Sequence, residues 1–270
     1  MAWCLPAWHD RFILPAGQNR RLHSGCDEPV DGYIECEPEV MRQRASQRLG
    51  RDISMQAYTL ARYISSEHGS GSPEEKMLLA LLAIRQARQR GQDVHRLLAC
   101  TNDRHVCRYG PVHTEGLAHP YERWASTAAD PTVDSILVAE YALAGRVGDE
   151  FTHGANDQWG ARYFLDDLSW VERKARAGHY WVGPIPGVDH FQVFAFRDLA
   201  TPAASPLGQA LIAYTVRALR APPPDWSRLQ PCRDTPTLVL VAALGLLVFA
   251  GLGVGLGRWQ GHAIRWPHLP

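Results

Sequence analysis

The chain has 270 residues, with 28 Lys plus Arg against 28 Asp plus Glu, so its formal net charge is zero. That balance excludes the basic footprint of a nucleic-acid partner, and the length suffices for one domain with a real core. The six cysteines, Cys4, Cys26, Cys36, Cys100, Cys107 and Cys232, follow no known framework; Cys26 with Cys36, and Cys100 with Cys107, have spacings that close short loops in an oxidising compartment.

Residues 1–50 read as an irregular N-terminal segment with one helix from Glu37 to Leu49. The main domain, 51–220, opens on a helix capped by Asp52 or Ser54. Its apolar positions Ile53, Ala57, Leu60, Ala61 and Ile64 recur at helical spacing, and it stops at His68-Gly69-Ser70-Gly71. Ser72-Pro73-Glu74-Glu75 combines a capping box with proline at the first helical position. The helix it starts turns Leu78, Leu81 and Leu82 to the core and ends at Gly91. A loop-rich stretch from Cys100 to Ala129 follows.

A third helix is expected from Asp130-Pro131 to Ala144, with Val133, Ile136, Leu137 and Leu143 inward. Phe191 to Phe196 alternates like a short strand. Ser205-Pro206 starts a last amphipathic helix to Leu219, and Ala221 to Pro224 begins a stiff linker over 221–236. From Thr237 to Gly257 the chain carries no charged residue. As a helix this run spans about 30 Å, the hydrocarbon thickness of a bilayer. It reads as a transmembrane helix, followed by a tail over 258–270, and Gly251 with Gly255 has the spacing of a close-packed helix dimer. The N-terminus lacks the basic and apolar regions of a signal peptide. The expected fold class is therefore a mainly α soluble domain of α+β type plus one C-terminal transmembrane helix, with a lipid bilayer as one partner.

Glu67 stands out as a candidate catalytic residue. It shares the helix face of Ile64 and Leu60 and lies in the last turn, at the negative end of the helix dipole. Both surroundings favour a protonated carboxyl, the requirement for a general acid in glycoside cleavage. The glycine-rich break after it is expected to leave open space for a polymeric substrate. The bland alternative is a helix-terminal glutamate paired with Arg62.

The stretch Ala61-Arg62-Tyr63-Ile64-Ser65-Ser66-Glu67-His68-Gly69, followed by a helix entered through Ser-Pro-Glu-Glu, resembles the first half of the SleB-like cell-wall hydrolases. Phe151-Thr152-His153-Gly154-Ala155 and Gly160-Ala161-Arg162-Tyr163-Phe164 resemble that family's threonine-glycine-alanine segment and its aromatic continuation. The resemblance covers about Ile53 to Arg197. The family's second glutamate, four after the first, is Gly71 here, and its continuous second motif is split in two.

The resemblance implies a lysozyme-like fold and cleavage of the bond between N-acetylmuramic acid and N-acetylglucosamine in peptidoglycan glycan strands. Lytic transglycosylases of this kind use one acid/base, here Glu67, and need no cofactor and no metal. Thr152, Gly154, Ala155 and Tyr163, with Tyr109 in the loop-rich stretch, are the substrate-binding residues expected on this reading. A water-using glycosidase would need a second carboxylate, for which Asp149, Glu150 and Asp157 are available.

Two other readings stay open. His95, Cys100, His105, Cys107 and His113 cluster in one stretch and are of the types that hold zinc, although no Cys-x-x-Cys or His-Glu-x-x-His pattern is present. A non-catalytic, membrane-anchored peptidoglycan-binding module is the third. Trp124, Trp159, Trp170 and Trp181 are able to stack on sugar rings, but core or loop packing is the expected role for most of them. The expected location is the cell envelope or, because no signal peptide precedes the domain, a virus particle carrying an entry enzyme.

Overall fold

The computed structural model describes residues 4–23, 38–98, 130–160, 169, 173–174, 177–196, 205–221 and 224–232. The chain divides into two compact units, Met1–Pro231 and Cys232–Pro270. All the helices and strands described belong to the first, which is mostly helical with few strands.

The described helices are α1 (Pro38–Leu49), α2 (Met55–His68), α3 (Pro73–Gln89), α4 (Val94–Leu98), α5 (Val133–Leu143) and α6 (Pro206–Arg220). Three short strands, β1 (Asp157–Gly160), β2 (His179–Trp181) and β3 (Phe191–Phe196), form an antiparallel sheet in the order β1-β3-β2. Trp159 pairs with Gln192 on one side of β3, and Tyr180 with Ala195 on the other. The sheet meets the helices through β1 on α3 and β2 on α6. Trp181 and Tyr214 pack there with ring centroids 5.7 Å apart, which gives Trp181 a packing role.

Helix α2 is the centre of the helical layer and packs against α1, α3, α4 and α5. Ser54 caps it, accepting from the backbone N–H of Ala57 at 3.2 Å, which satisfies one of the donors that every helix start leaves open. The apolar face expected from Ala57, Leu60, Ala61 and Ile64 is buried, and so is the opposite face: every residue from Ala57 to Ser65 is buried. Each side chain such as Leu60 or Ile64 contributes about 1.5–3 kcal/mol by leaving water.

Three polar residues of α2 are tolerated because each finds a partner. Thr59 Oγ1 donates to the Met55 carbonyl at 2.8 Å, Ser65 Oγ to Ser135 Oγ at 3.0 Å, and Arg62 Nη1 to Asp130 Oδ1 at 3.0 Å. The last is a buried ion pair, with neither side chain more than 1% exposed.

That pair also explains where α5 begins. The sequence places its start at Asp130-Pro131, but Asp130 turns its carboxylate to Arg62, and the Pro131 carbonyl accepts from Leu22 N–H at 2.8 Å. The helix therefore opens at Val133 behind Thr132. Lys76 and Asp134 make a second buried ion pair, from α3 to α5.

Two boundaries differ from expectation. Residues 4–23 are part of the domain: a 3-10 turn at His9–Phe12 and the buried side chains Leu5, Phe12 and Leu22 join the core. Phe12 meets Tyr141 of α5 edge-on at 5.4 Å. The middle of the expected linker also packs on the domain: Trp226 is buried and donates from Nε1 to the Val188 carbonyl at 3.2 Å, and Leu5 N–H reaches the Gln230 carbonyl at 3.0 Å. Cys4 and Cys232 are each disulfide-bonded, a use of these two cysteines that their spacing did not announce. Cys26, Cys36, Cys100 and Cys107 lie outside the described residues.

The Thr237–Gly257 run, with Gly251 and Gly255, also lies outside them, and among the described residues no helix is long and apolar enough to cross a membrane.

Removing Asp130 strands a buried guanidinium beneath α2. The variant Asp130→Ala is expected to lose about 3–5 kcal/mol of stability, read from urea unfolding; a loss under about 1 kcal/mol would mean that the pair does not hold α2 to the segment entering α5.

Candidate functional site

The candidate site is built at the turn between α2 and α3. Burial along α2 ends at Ser65; Ser66, Glu67 and His68 keep partial exposure. Glu67 thus stands in the last turn, as its position predicts, but half-buried rather than sealed, so its apolar face desolvates it only in part. The pairing proposed for it with Arg62 has a competitor, since Arg62 is turned into the core toward Asp130.

Gly69 to Gly71 make a close turn, with Gly71 N–H donating to the His68 carbonyl at 3.0 Å. Ser72 then caps α3. Its Oγ accepts from Glu75 N–H at 3.1 Å while Glu75 Oε2 accepts from Ser72 N–H at 3.0 Å, the reciprocal pair of a capping box. The box was legible in the sequence; what Glu75 does next was not. Its Oε1 also accepts from the backbone N–H of Asp189 at 2.9 Å and of His190 at 2.7 Å. Ser72 Oγ in turn donates to the Gly187 carbonyl at 2.7 Å. One helix start therefore ties down the loop that leads into β3.

Two histidines complete the cluster. His68 Nε2 lies 2.9 Å from Glu75 Oε2, His190 Nδ1 lies 2.8 Å from Glu75 Oε1, and the two ring nitrogens are 3.2 Å apart. Glu75 is 2% exposed, His68 18% and His190 65%. Burial works to raise the Glu75 carboxyl, but the N–H groups and ring of His190, with the amides of Asp189 and Ser72, outweigh it and hold it below the ordinary glutamate range.

Neighbouring Glu74 points the other way. It is fully buried, with Oε1 2.6 Å from His9 Nδ1, and burial pushes its carboxyl up against the pull of that histidine. A Cβ on Gly187, at φ +82°, would lie 2.6 Å from Glu74 Cγ, so glycine is required where the loop crosses this side chain.

The expected open space after Glu67 is not there at Gly71. A Cβ on Gly71 would collide with His68 Cδ2 and lie 2.9 Å from Glu75 Oε2. The position where the SleB-like pattern has its second glutamate is thus filled by the His68 ring closing on Glu75.

The second motif is placed elsewhere on α3. Arg85 Nη2 donates to Thr152 Oγ1 at 2.7 Å, and Gln86 Nε2 to the Asn156 carbonyl at 2.9 Å. Residues 75 and 85 are about 15 Å apart along a helix axis. Thr152 and Ala155 have no exposed surface, so neither presents a face to a sugar chain. Thr152 carries a 3-10 turn (Asp149–Thr152) and anchors it to α3 instead. Gly154 is exposed at φ +77° with open space around its α-carbon, a turn position.

Tyr109 and Tyr163 lie outside the described residues, as do Trp124, Trp170, Cys100, His105, Cys107 and His113. His95, the described member of the alternative zinc cluster, is half-buried with Nδ1 2.8 Å from Thr59 Oγ1, and burial lowers its pKa. Asp157 lies 3.4 Å from both Lys174 Nζ and His179 Nδ1, in an ion-paired setting. His190 and Glu75 are the site residues that sequence reading passed over: Glu75 was taken up by the capping pattern, and His190 is more than a hundred positions away.

Comparison with family models, with curated proteins and with solved structures finds no match to this chain.

The close fit at Gly71 gives a sharp test. Gly71→Ala is expected to cost about 1–3 kcal/mol by forcing His68 off Glu75, measured by urea unfolding. The same change made in a His68→Ala background should cost much less, because the colliding ring is gone. Equal costs in both backgrounds would contradict the described packing.

Proposed function

We propose that this chain cleaves the glycan strands of peptidoglycan, with Glu67 as a single general acid/base in a lysozyme-like domain. On this reading the bond broken joins N-acetylmuramic acid to N-acetylglucosamine. The domain is tethered at a cell envelope or virion membrane by the Thr237–Gly257 helix, which pairs with a second copy through Gly251 and Gly255.

The observation that carries the proposal is the division of labour among three carboxyls at the α2–α3 turn. Glu74 is fully buried against His9. Both oxygens of Glu75 accept N–H donors from Ser72, Asp189 and His190. Glu67 alone of the three keeps appreciable surface, at the end of a helix sealed from Ala57 to Ser65. A glycosidic acid must reach its substrate and still be partly screened from water, and that intermediate setting suits the task. The family resemblance of Ala61 to Gly69 supports the same residue.

The chemistry balances with one carboxyl. Protonated Glu67 gives its proton to the bridging oxygen, which leaves on the N-acetylglucosamine side while an oxocarbenium-like centre develops at C1 of the muramic acid. The Glu67 carboxylate then takes the proton of that sugar's own 6-hydroxyl as its oxygen bonds to C1. The product is a 1,6-anhydro end, and Glu67 is left protonated for the next cycle. No water is consumed and no second carboxylate is used. The turn around Thr152 supplies scaffold for the domain, and sugar contacts are expected from the surface beside Glu67.

Glu67→Gln keeps shape and removes acidity. It is expected to slow the clearing of purified cell walls by about 10²–10⁴-fold, the usual worth of a positioned acid, with unfolding unchanged. Mass spectrometry of fragments from the parent should show ends lighter by one water than hydrolysed ends. Walls cleared equally fast by the variant, or amino-sugar bonds left intact by the parent, would overturn the assignment.

A further inference from the structure

The His68, Glu75 and His190 cluster takes no part in the acid/base chemistry proposed for Glu67, and its geometry points to a second property. We propose that these three side chains bind one divalent transition-metal ion, zinc by preference, between the α2–α3 turn and the loop entering β3.

The donor set is two imidazole nitrogens and one carboxylate oxygen, the combination found in three-ligand zinc sites that keep a fourth position for water. Three ligands at zinc–nitrogen and zinc–oxygen distances lie roughly 3.3 Å from one another in a tetrahedron. Here His68 Nε2 lies 2.9 Å from Glu75 Oε2 and 3.2 Å from His190 Nδ1, and all the ligating atoms lie within 4.8 Å of one another. For these two pairs accepting an ion asks for shifts of tenths of an ångström, and His190 Nδ1, 2.8 Å from Glu75 Oε1, would exchange that contact for the ion.

The lone pairs of Glu75 also fit. An ionised carboxylate offers about four acceptor positions. Three are filled by backbone donors, Ser72 N–H on Oε2 and the N–H groups of Asp189 and His190 on Oε1. The position left is on Oε2, the oxygen that faces His68 Nε2. The three amides fix the orientation of the carboxylate, as outer hydrogen-bond partners do around metal ligands. The turn makes room for the same arrangement: any side chain at Gly71 would meet the His68 ring and Glu75 Oε2. His190 is 65% exposed, which leaves a path for the ion and space for a water ligand.

An ion there would cross-link α2, α3 and the loop before β3, three segments up to 122 positions apart in sequence. Binding to the folded state alone adds stability by mass action.

The test uses the full chain, stripped with a chelator and titrated with zinc chloride against a chromophoric competitor. The parent is expected to take up one zinc and to melt at higher temperature in its presence. His68→Ala and His190→Ala should each weaken binding by more than about 100-fold, beyond what losing an outer hydrogen-bond partner costs, and should lose the zinc-dependent rise in melting temperature. His153→Ala, an exposed histidine outside the cluster, should bind as the parent does. The exposure of His190 keeps its variant folded, which the melt itself verifies. No zinc uptake by the parent, or uptake by both cluster variants at parental affinity, would overturn the proposal. Glu67→Gln leaves the ligand set whole and should still bind zinc, so failure of the wall-cleaving reading is separable from failure of this one.

Discussion

The arrangement of this domain around its candidate site depends on one carboxylate. Glu75 closes the capping box of α3 and, with its other oxygen, holds the amides of Asp189 and His190. Buried carboxylates are costly unless their lone pairs are met, and here N–H donors meet them. A side chain that normally finishes one helix turn thereby joins the helical layer to the chain entering the central strand of the sheet. Ser72 reinforces the join through the Gly187 carbonyl, and Trp226 adds a further bond to Val188.

That join decides what the nearby acids can do. Glu75 is committed to structure, and Glu74 is enclosed beside His9. Glu67 sits where α2 leaves the core, behind a stretch of helix in which Thr59, Arg62 and Ser65 are each paired inside. The sealed part of α2 is a rigid mount, and rigidity is what a positioned acid needs. The proposals for Glu67 and for the metal cluster draw on the same turn while using different atoms.

Much of this frame was legible in the residues. Ser72-Pro73-Glu74-Glu75 announced α3 because capping is local, and the 3.6-residue spacing of Ala57, Leu60 and Ile64 announced α2. Phe191 to Phe196 read as a strand by alternation, but β1 and β2, with four and three residues, are too short to show a period. Long-range bonds were beyond local pattern. Asp130 looked like a helix start and became the partner of a buried arginine; Glu75 looked like a cap and became a clamp on residues 114 and 115 positions away. The motif around Thr152 was read as a substrate contact because it resembles the SleB-like pattern, yet the burial of Thr152 makes it a bracket on α3. Gly71 looked like open space for a substrate and proved to be clearance for a histidine ring.

The claim beneath all of this is that the Glu75 carboxylate anchors the loop before β3, and amide hydrogen exchange reads it directly. In the parent, the Asp189 and His190 amides should exchange slowly, as hydrogen-bonded amides do; in Glu75→Ala they should lose that protection while the amides in the middle of α2 keep theirs. Equal exchange at Asp189 and His190 in both proteins would contradict the account.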